Sequence, residues 1–416
     1  MKIKKVLNCT GLTGFYMDDK AAIKAGAKMD NFAYLGNPVT PGFTRVREPG
    51  ESVSVMFVLD SGDIVFGDCA VAQYAASGGR EVPQRAKDLV ASLEKNLVPM
   101  LEGREVTAFR PMAEEIDRMM VDGNELPAAL RYGVTQAILE AVSRKRSLTM
   151  TEVILEEYGL PLSLERVLIN AQSGDDRYTN VDKMILKRVD MIPHGLINNV
   201  AEKFGKNGEI LMDYVKWVRN RITQIGDADY KPTLRYDIYG TAGYAFNDNL
   251  DKVADYLLRV EEACQPFEVG VEMPIDLKTT ERQLEGFLYL KKKLAAAGSK
   301  LFLIIDEYAN TYEEIKVWVD AKACDMVQVK TVDLGGINNT VQAVLYCKAH
   351  GVRAYQGGTC NETDKSALVC VNLAVATKPF AMGGKPGMGV DEGVMIVANE
   401  QNRLLTILKA RQAGQI

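Results

Sequence analysis

Four residues set the chemistry open to this chain: Asp237, Glu272, Asp306 and Lys330, three carboxylates followed by an amine. Each ends a short, mostly apolar run: Leu234-Arg235-Tyr236-Asp237, Val269-Gly270-Val271-Glu272, Leu301-Phe302-Leu303-Ile304-Ile305-Asp306 and Met326-Val327-Gln328-Val329-Lys330. The four lie 35, 34 and 24 residues apart, about the length of one strand, one helix and two loops in a (β/α) barrel. Such a barrel delivers consecutive strand ends to one mouth. Three carboxylates meeting there repel by roughly 4 kcal/mol per pair at 4 Å and an effective dielectric near 20, against a domain stability of only about 5–15 kcal/mol. A bound cation removes the conflict. Carboxylate oxygens without paired thiolates suit Mg2+ or Mn2+. With His194 and His350 the only histidines, a histidine-rich transition-metal site is excluded. Gln328 and Lys330 alternate with Val327 and Val329, so both point to one side of their strand. Beside a divalent cation an ammonium is disfavoured by like charge and burial, which makes Lys330 a candidate base able to take a proton from carbon.

The elements that must position these residues follow from the pattern of the chain. From Glu51 to Ala70, two alternating runs flank Asp60-Ser61-Gly62-Asp63 and predict an antiparallel hairpin. Helical segments follow. The clearest spans Ala128 to about Lys145, with Leu130, Val134, Ala137, Ile138, Ala141 and Val142 at helical spacing and Arg131, Gln136, Glu140 and Arg144 on other faces. Residues 1–160 therefore read as a separate α+β domain. After residue 160 the texture changes to strand-then-helix alternation, beginning with Arg166-Val167-Leu168-Ile169-Asn170-Ala171-Gln172. Residues 161–416 have the length of a TIM-type (β/α)8 barrel, typically about 250 residues. Between two of the carboxylate strands, Thr280-Glu281-Arg282-Gln283 predicts a capping box and Gly298 a helix C-cap.

Composition narrows the function further. The chain of 416 residues is 47% hydrophobic and 25% charged, with a net charge of −5 and no basic stripe, which argues against nucleic acid as the main partner. No apolar stretch approaches the 18 residues of a membrane span, and Met1-Lys2-Ile3-Lys4-Lys5 leads into Cys9-Thr10-Gly11 rather than a signal core. A cytoplasmic protein is expected. The seven cysteines are scattered without a Cys-x-x-Cys pair, so most read as small buried hydrophobes. His194 follows an apolar strand candidate in Met191-Ile192-Pro193-His194-Gly195, whereas His350 lies near a helix C-terminus and reads as a surface or capping residue. Two glycine-rich passages remain, Gln356-Gly357-Gly358-Thr359-Cys360-Asn361-Glu362-Thr363 and Gly383-Gly384-Lys385-Pro386-Gly387-Met388-Gly389. The first precedes a helix whose N–H groups could receive a carboxylate; a tight turn needing glycine explains it equally well. Neither ends in Gly-Lys-[Ser/Thr], so a P-loop is excluded. No basic partner near Cys360 in the sequence supports a nucleophile there.

These residues together resemble the methylaspartate ammonia-lyase family of the enolase superfamily, over nearly the whole chain. The resemblance is carried by Gly11-Leu12-Thr13-Gly14-Phe15-Tyr16, Ala171-Gln172-Ser173-Gly174-Asp175-Asp176-Arg177-Tyr178, Pro193-His194, Gly357-Gly358-Thr359-Cys360-Asn361-Glu362-Thr363 and Lys385-Pro386-Gly387-Met388-Gly389-Val390-Asp391-Glu392-Gly393. It implies a cap over a barrel and Mg2+ held by Asp237, Glu272 and Asp306. Mn2+ as a substitute, and a monovalent cation such as K+ beside it, fit the same expectation. It further implies Lys330 as the base on C3, with His194 on the opposite face of the reacting carbon. Gln172, Gln328 and the Thr359-Cys360 backbone would orient the carboxylates of a dicarboxylate amino acid, and a metal-stabilised enolate would precede loss of ammonia to mesaconate. A homodimer and a place in glutamate degradation through methylaspartate are implied in the same way. One departure stands out: Met382-Gly383-Gly384 occupies a place where an aliphatic pocket residue is expected, which implies a pocket of different shape.

Two other readings make different predictions. A racemase or dehydratase of the superfamily would use the same metal and proton abstraction without releasing ammonia. A metal-stabilised barrel acting as a scaffold would gain thermal stability from Mg2+ yet exchange no substrate proton with deuterated water.

Overall fold

The computed structural model describes residues 1–77, 80–388 and 390–416. Its N-terminal part is built on an antiparallel sheet of β1 (Ile3–Asp18), β2 (Arg47–Leu59) and β3 (Ile64–Ala70), in that order. The hairpin expected from the sequence is β2–β3, paired from Ser52 with Ala70 to Val58 with Ile64. Gly62 closes it at φ 92°, a conformation a side chain resists. Strand β1, which runs along β2 from Ile3–Leu59 to Asp18–Arg47, was not anticipated. Its middle, from Leu7 to Thr13, is mostly solvent-exposed and carries no alternating apolar signal.

The helix read over 128–145 spans Ala128–Arg146. Of the polar residues assigned to its other faces, Arg144 alone is exposed. Arg131, Gln136 and Glu140 are buried, because the helix is sandwiched between the cap sheet and the barrel. Gln136 Nε2 donates to Asp68 O at 3.1 Å, Glu140 pairs with Lys365 at 2.6 Å, and Arg131 pairs with Asp117 at 3.1 Å. Gly133 allows the close approach: a Cβ there would lie 2.5 Å from Cys69 Sγ. One apolar core accordingly runs from the cap (Val55, Phe57, Leu130, Ile138) into barrel helices through Val341, Val369 and Leu373.

The second part closes into a barrel of eight strands: β4 (Leu168–Asn170), β5 (Met191–His194), β6 (Thr233–Asp237), β7 (Val269–Glu272), β8 (Phe302–Ile305), β9 (Met326–Val329), β10 (Arg353–Gln356) and β11 (Ala381–Gly383). The order around the barrel is β6-β7-β8-β9-β10-β11-β4-β5, all parallel. A helix follows each strand, from Arg177–Leu186 after β4 to Glu392–Gln412 after β11. This is the (β/α)8 architecture expected from the strand spacing, and it sends every strand's C-terminal end to one face. Met191, Phe302, Ile304, Met326, Tyr355 and Ala381 plug the interior below that face. Gly270 is required by this plug, since a Cβ would collide with the Phe302 ring at 2.1 Å.

The helix Thr280–Ala296 departs by one residue from its expected capping box. Its N-cap is Thr279, whose hydroxyl accepts from Arg282 N at 3.3 Å. Gln283 turns inward instead, accepting from Leu277 N and donating to Ile275 O, which ties down the loop that follows β7. Gly298 does close the C-terminus, at φ 71°. Among the described residues no helix is long and apolar enough to cross a membrane.

Candidate active site

Asp237 and Glu272 end β6 and β7 as directly paired residues, and Asp306 and Lys330 lie one position beyond β8 and β9. The barrel brings all four to its mouth. Carboxylate oxygens of Asp237, Glu272 and Asp306 lie within 4.8 Å of one another, and all three residues are buried. Lys330 Nζ sits 3.0 Å from Asp306 Oδ1 and donates to Asp306 O at 2.5 Å and Asn310 Oδ1 at 2.6 Å. With the Gln328 amide nitrogen turned to the cluster, it donates to Glu272 Oε1 at 2.8 Å and Asp306 Oδ1 at 3.0 Å. His194 occupies the last position of β5, and its Nε2 is 3.3 Å from Asp237 Oδ2. Strands β5 and β9 are four apart either way around the barrel, so His194 and Lys330 face each other across the mouth. Both line one small cavity of about 50 Å³ with Gln172, Gln328, Thr359 and Cys360.

The electrostatics explain why this cluster needs a cation. Burial, reinforced by the charges of Asp306 and Glu307, pushes Asp237 up to about 8. Burial likewise raises Glu272 far above the usual range despite Arg235, and raises Asp306 despite Lys330 and Arg80. Ionised carboxylates are disfavoured here because burial strips their hydration and the nearby positive charge does not make up for it. Glu307 is the contrast. Burial would raise it, but Lys20, Arg80 and Lys330 outweigh burial and hold it well below the carboxylate range. Burial and the nearby Arg235 guanidinium push His194 far down, so its imidazole is neutral. Its Nδ1 is buried without a protein partner, leaving one ring nitrogen for a ligand.

The remaining expectations divide. His350 caps the helix Ile337–Ala349, its Nδ1 2.8 Å from Tyr346 O. Cys360 is buried, which drives its thiol up and away from the thiolate, and its Sγ donates to Gln73 Oε1 at 2.9 Å. The helix after the first glycine passage does not offer its N-terminus to a ligand. Thr363 and Ser366 form a capping box that takes those N–H groups, and the loop Gly357–Cys360, rather than the helix, borders the cavity. Of the second passage, Gly389 lies outside the described residues, and Met388 reaches the cavity wall.

Comparison with known proteins decides the family. The family description for the methylaspartate ammonia-lyase N-terminus matches residues 1–159, and that for its C-terminus matches residues 161–410. The methylaspartate ammonia-lyase of Clostridium tetanomorphum is 51% identical over 99% of this chain and 100% of its own length. The chain belongs to the methylaspartate ammonia-lyase family. It is an enzyme, a carbon–nitrogen lyase. The crystal structure of the C. tetanomorphum methylaspartase, described as an Mg complex, superposes with a TM-score of 0.94 and covers 99% of this chain and 100% of that one. The Citrobacter amalonaticus enzyme, solved containing (2S,3S)-3-methylaspartic acid, is 47% identical with a TM-score of 0.97, covering 98% and 100% of the two chains. An L-Ala-D/L-Glu epimerase from Bacillus subtilis, 13% identical with a TM-score of 0.66 over 94% of this chain and 92% of its own, shares the fold.

Several residues of this family member's site escaped sequence reasoning. Arg235, fully buried, pairs with Glu272 and stacks on Tyr355 at 4.5 Å. Its i, i+2 spacing to Asp237 on β6 was the available signal. Gln73 reaches in from the cap, its N donating to Thr359 Oγ1 at 3.1 Å. Lys20 and Arg80, also from the cap, pair with Glu307 at 2.9 Å and Asp333 at 2.8 Å. No local pattern marks those three, because only the docking of cap on barrel brings them near. Across the mouth, Asp237, Glu272, Asp306, Glu307 and Asp333 face Lys20, Arg80, Arg235 and Lys330, a deficit of one positive charge. Buried, oxygen-only and short of positive charge, the three carboxylates fit a hard divalent cation such as Mg2+.

Proposed function

We propose that this enzyme reversibly eliminates ammonia from threo-3-methyl-L-aspartate to give mesaconate, with Asp237, Glu272 and Asp306 holding Mg2+ and Lys330 as the base. The observation that carries this reading is the meeting of three buried carboxylates within 4.8 Å beside the Lys330 amine. When bound, the divalent cation supplies Lewis-acid stabilisation to the substrate carboxylate next to C3. Lys330 Nζ takes the C3 proton. The electron pair left on C3 becomes the C2=C3 bond as the C2–N bond breaks, and ammonia departs with the nitrogen's pair. Gln328, two residues before Lys330 on the same side of β9, orients the substrate's carboxylates together with Gln172 and the Thr359-Cys360 backbone.

His194 acts from across the barrel. Held neutral by burial, with Nδ1 free of protein partners, it positions the substrate and takes the proton from the stereoisomer that presents it on the far face. Mn2+ substitutes for Mg2+, and a monovalent cation such as K+ assists. The division into a cap over residues 1–160 and a catalytic barrel over 161–416, assembly as a homodimer, a cytoplasmic setting and a place in glutamate degradation through methylaspartate belong to the same reading. The deciding experiment incubates the protein with threo-3-methyl-L-aspartate and Mg2+ and follows the ultraviolet absorbance of the conjugated diacid. Absorbance that grows, and stops on chelation, supports the reading; a substrate that loses its C3 proton to solvent without releasing ammonia would replace it with a racemase.

A further inference from the structure

The catalytic cavity is small, about 50 Å³ on a scale where one water needs roughly 10–15 Å³. Two cavities share wall residues with the site and offer a diacid a way to it. One, of about 200 Å³, meets it at Ala72, Arg80 and Asp333. Its lining carries Arg80 and Arg131 against Glu81, Glu125 and Asp333, a net negative wall. The other, of about 860 Å³, meets the site at Tyr74 and Tyr239. Lys20, Lys24, Lys28, Lys203 and Lys278 line it, with Glu202 the one acid among its lining residues.

We propose that the lysine-lined cavity is the entrance and exit vestibule of the active site, an anion-attracting space that gathers dicarboxylates and passes them between Tyr74 and Tyr239. The inference rests on the diacid chemistry proposed above. Charge decides between the two routes. The substrate carries a net charge of −1 and the unsaturated product −2, so an acidic passage repels both. Acids do stand behind the lysines: Asp276 near Lys24 and Lys278, Asp175 near Lys203 and Glu307 near Lys20. Counted with Glu202 they total four against five lysines, which leaves the vestibule positive.

The inner end of the vestibule has a defined structure. Lys20 Nζ lies 5.0 Å from the Tyr74 ring and 5.4 Å from the Tyr239 ring, and it pairs with Glu307 beside Asp306. A cation held by two aromatic faces and one carboxylate marks the partition between vestibule and site. An entering carboxylate meets the exposed ammonium groups of Lys24 and Lys278 first and the Lys20 partition last. Low-dielectric walls focus such a field and raise the local concentration of an anion.

The test compares the unaltered enzyme with a Lys24→Glu/Lys278→Glu variant, and with a Lys292→Glu/Lys409→Glu variant of equal net charge whose changes lie on exposed helix positions outside both cavities. At about 10 mM ionic strength, where the Debye length is ~30 Å, the vestibule variant should lose about tenfold in kcat/KM with kcat within twofold. The loss should shrink to within about twofold near 1 M salt, and the control variant should match the unaltered enzyme throughout. Titration calorimetry with mesaconate on the Mg2+-loaded proteins repeats the comparison without turnover. Normal turnover with a kcat/KM indifferent to the vestibule charges, or a loss that salt leaves unchanged, overturns the vestibule and leaves the lyase reading standing. An unaltered protein that neither turns over methylaspartate nor binds mesaconate overturns both.

Discussion

Replacing Lys385 by methionine tests whether the loop Gly357–Cys360 is held from behind by a buried charge pair. Lys385 is 4% exposed and Glu362 0%. Lys385 Nζ donates to Glu362 Oε1 at 2.7 Å, Gly357 O at 2.7 Å and Thr331 Oγ1 at 2.8 Å. Glu362 Oε2 accepts from Tyr132 of the cap and from Ser366, each at 2.7 Å. Removing the lysine strands Glu362 as an uncompensated buried charge, which costs about 3–5 kcal/mol. For a chain of 416 residues, unfolding entropy of ~2.1 cal/mol/K per residue makes 4 kcal/mol equal to a Tm drop of about 4–5 °C. The double variant Lys385→Met/Glu362→Gln removes the stranded charge and should recover more than half of that loss by calorimetry. Because Gly357 O loses the nearer of its two side-chain donors, Lys385 and Thr331, the single variant should also raise KM for methylaspartate more than it lowers kcat. A single variant melting within about 1 °C of the unaltered enzyme, or a double variant no better than the single, refutes the reasoning.

Other perturbations reach the site directly. Lys330→Ala should lower kcat by about 10² to 10⁴ while the stabilisation by Mg2+, read as a thermal shift, persists; full turnover would reject Lys330 as the base. Mg2+ at about 100 times its Kd should stabilise the unaltered protein by roughly 2.7 kcal/mol, and Asp237→Asn should abolish both that shift and turnover. Asp276 gives a pH test. Burial would raise it, but hydrogen bonds from Tyr244, Lys278 and Tyr308 win and hold it at about 2. A depressed carboxylate stabilises the fold above its unfolded value and loses that contribution as pH falls through its folded one. Asp276→Asn should therefore melt lower at pH 6, by on the order of 1 kcal/mol for a partly exposed group, and converge with the unaltered protein near pH 2. Equal differences at both pH values would count against the network.

The barrel was legible because its signals are local. Apolar runs ending in Asp237, Glu272 and Asp306 recur at the strand–helix repeat, and a parallel barrel has one place to send its strand ends. The alternation of Gln328 with Lys330 placed both on the interior side without any tertiary information. What sequence periodicity hides is docking. Gln136 and Glu140 sit on what a helical wheel calls the polar face, yet the cap helix is enclosed as far as Ser143 and their partners Asp68 and Lys365 lie 68 and 225 residues away. The capping box misplaced at Thr280 fails for a related reason. Thr279 and Thr280 are locally equivalent, and the choice is made by Gln283, which the loop beyond β7 recruits through Leu277 and Ile275.

Docking also settles the charge balance on which the chemistry depends. Considered alone, the barrel mouth holds Asp237, Glu272, Asp306, Glu307 and Asp333 with only Arg235 and Lys330 to oppose them. The cap contributes Lys20 to Glu307 and Arg80 to Asp333, so the two acids outside the metal cluster are neutralised by residues more than 250 positions away. That leaves the three cluster carboxylates facing one guanidinium and one ammonium. A cap that docked elsewhere would leave those outer acids to repel both the diacid and the lysines meant to gather it. The cap is thus an electrostatic component of the active site, and its Lys20, Lys24 and Lys28, with Lys203 and Lys278 of the barrel, give the approach to the site the opposite sign from the cluster it leads to.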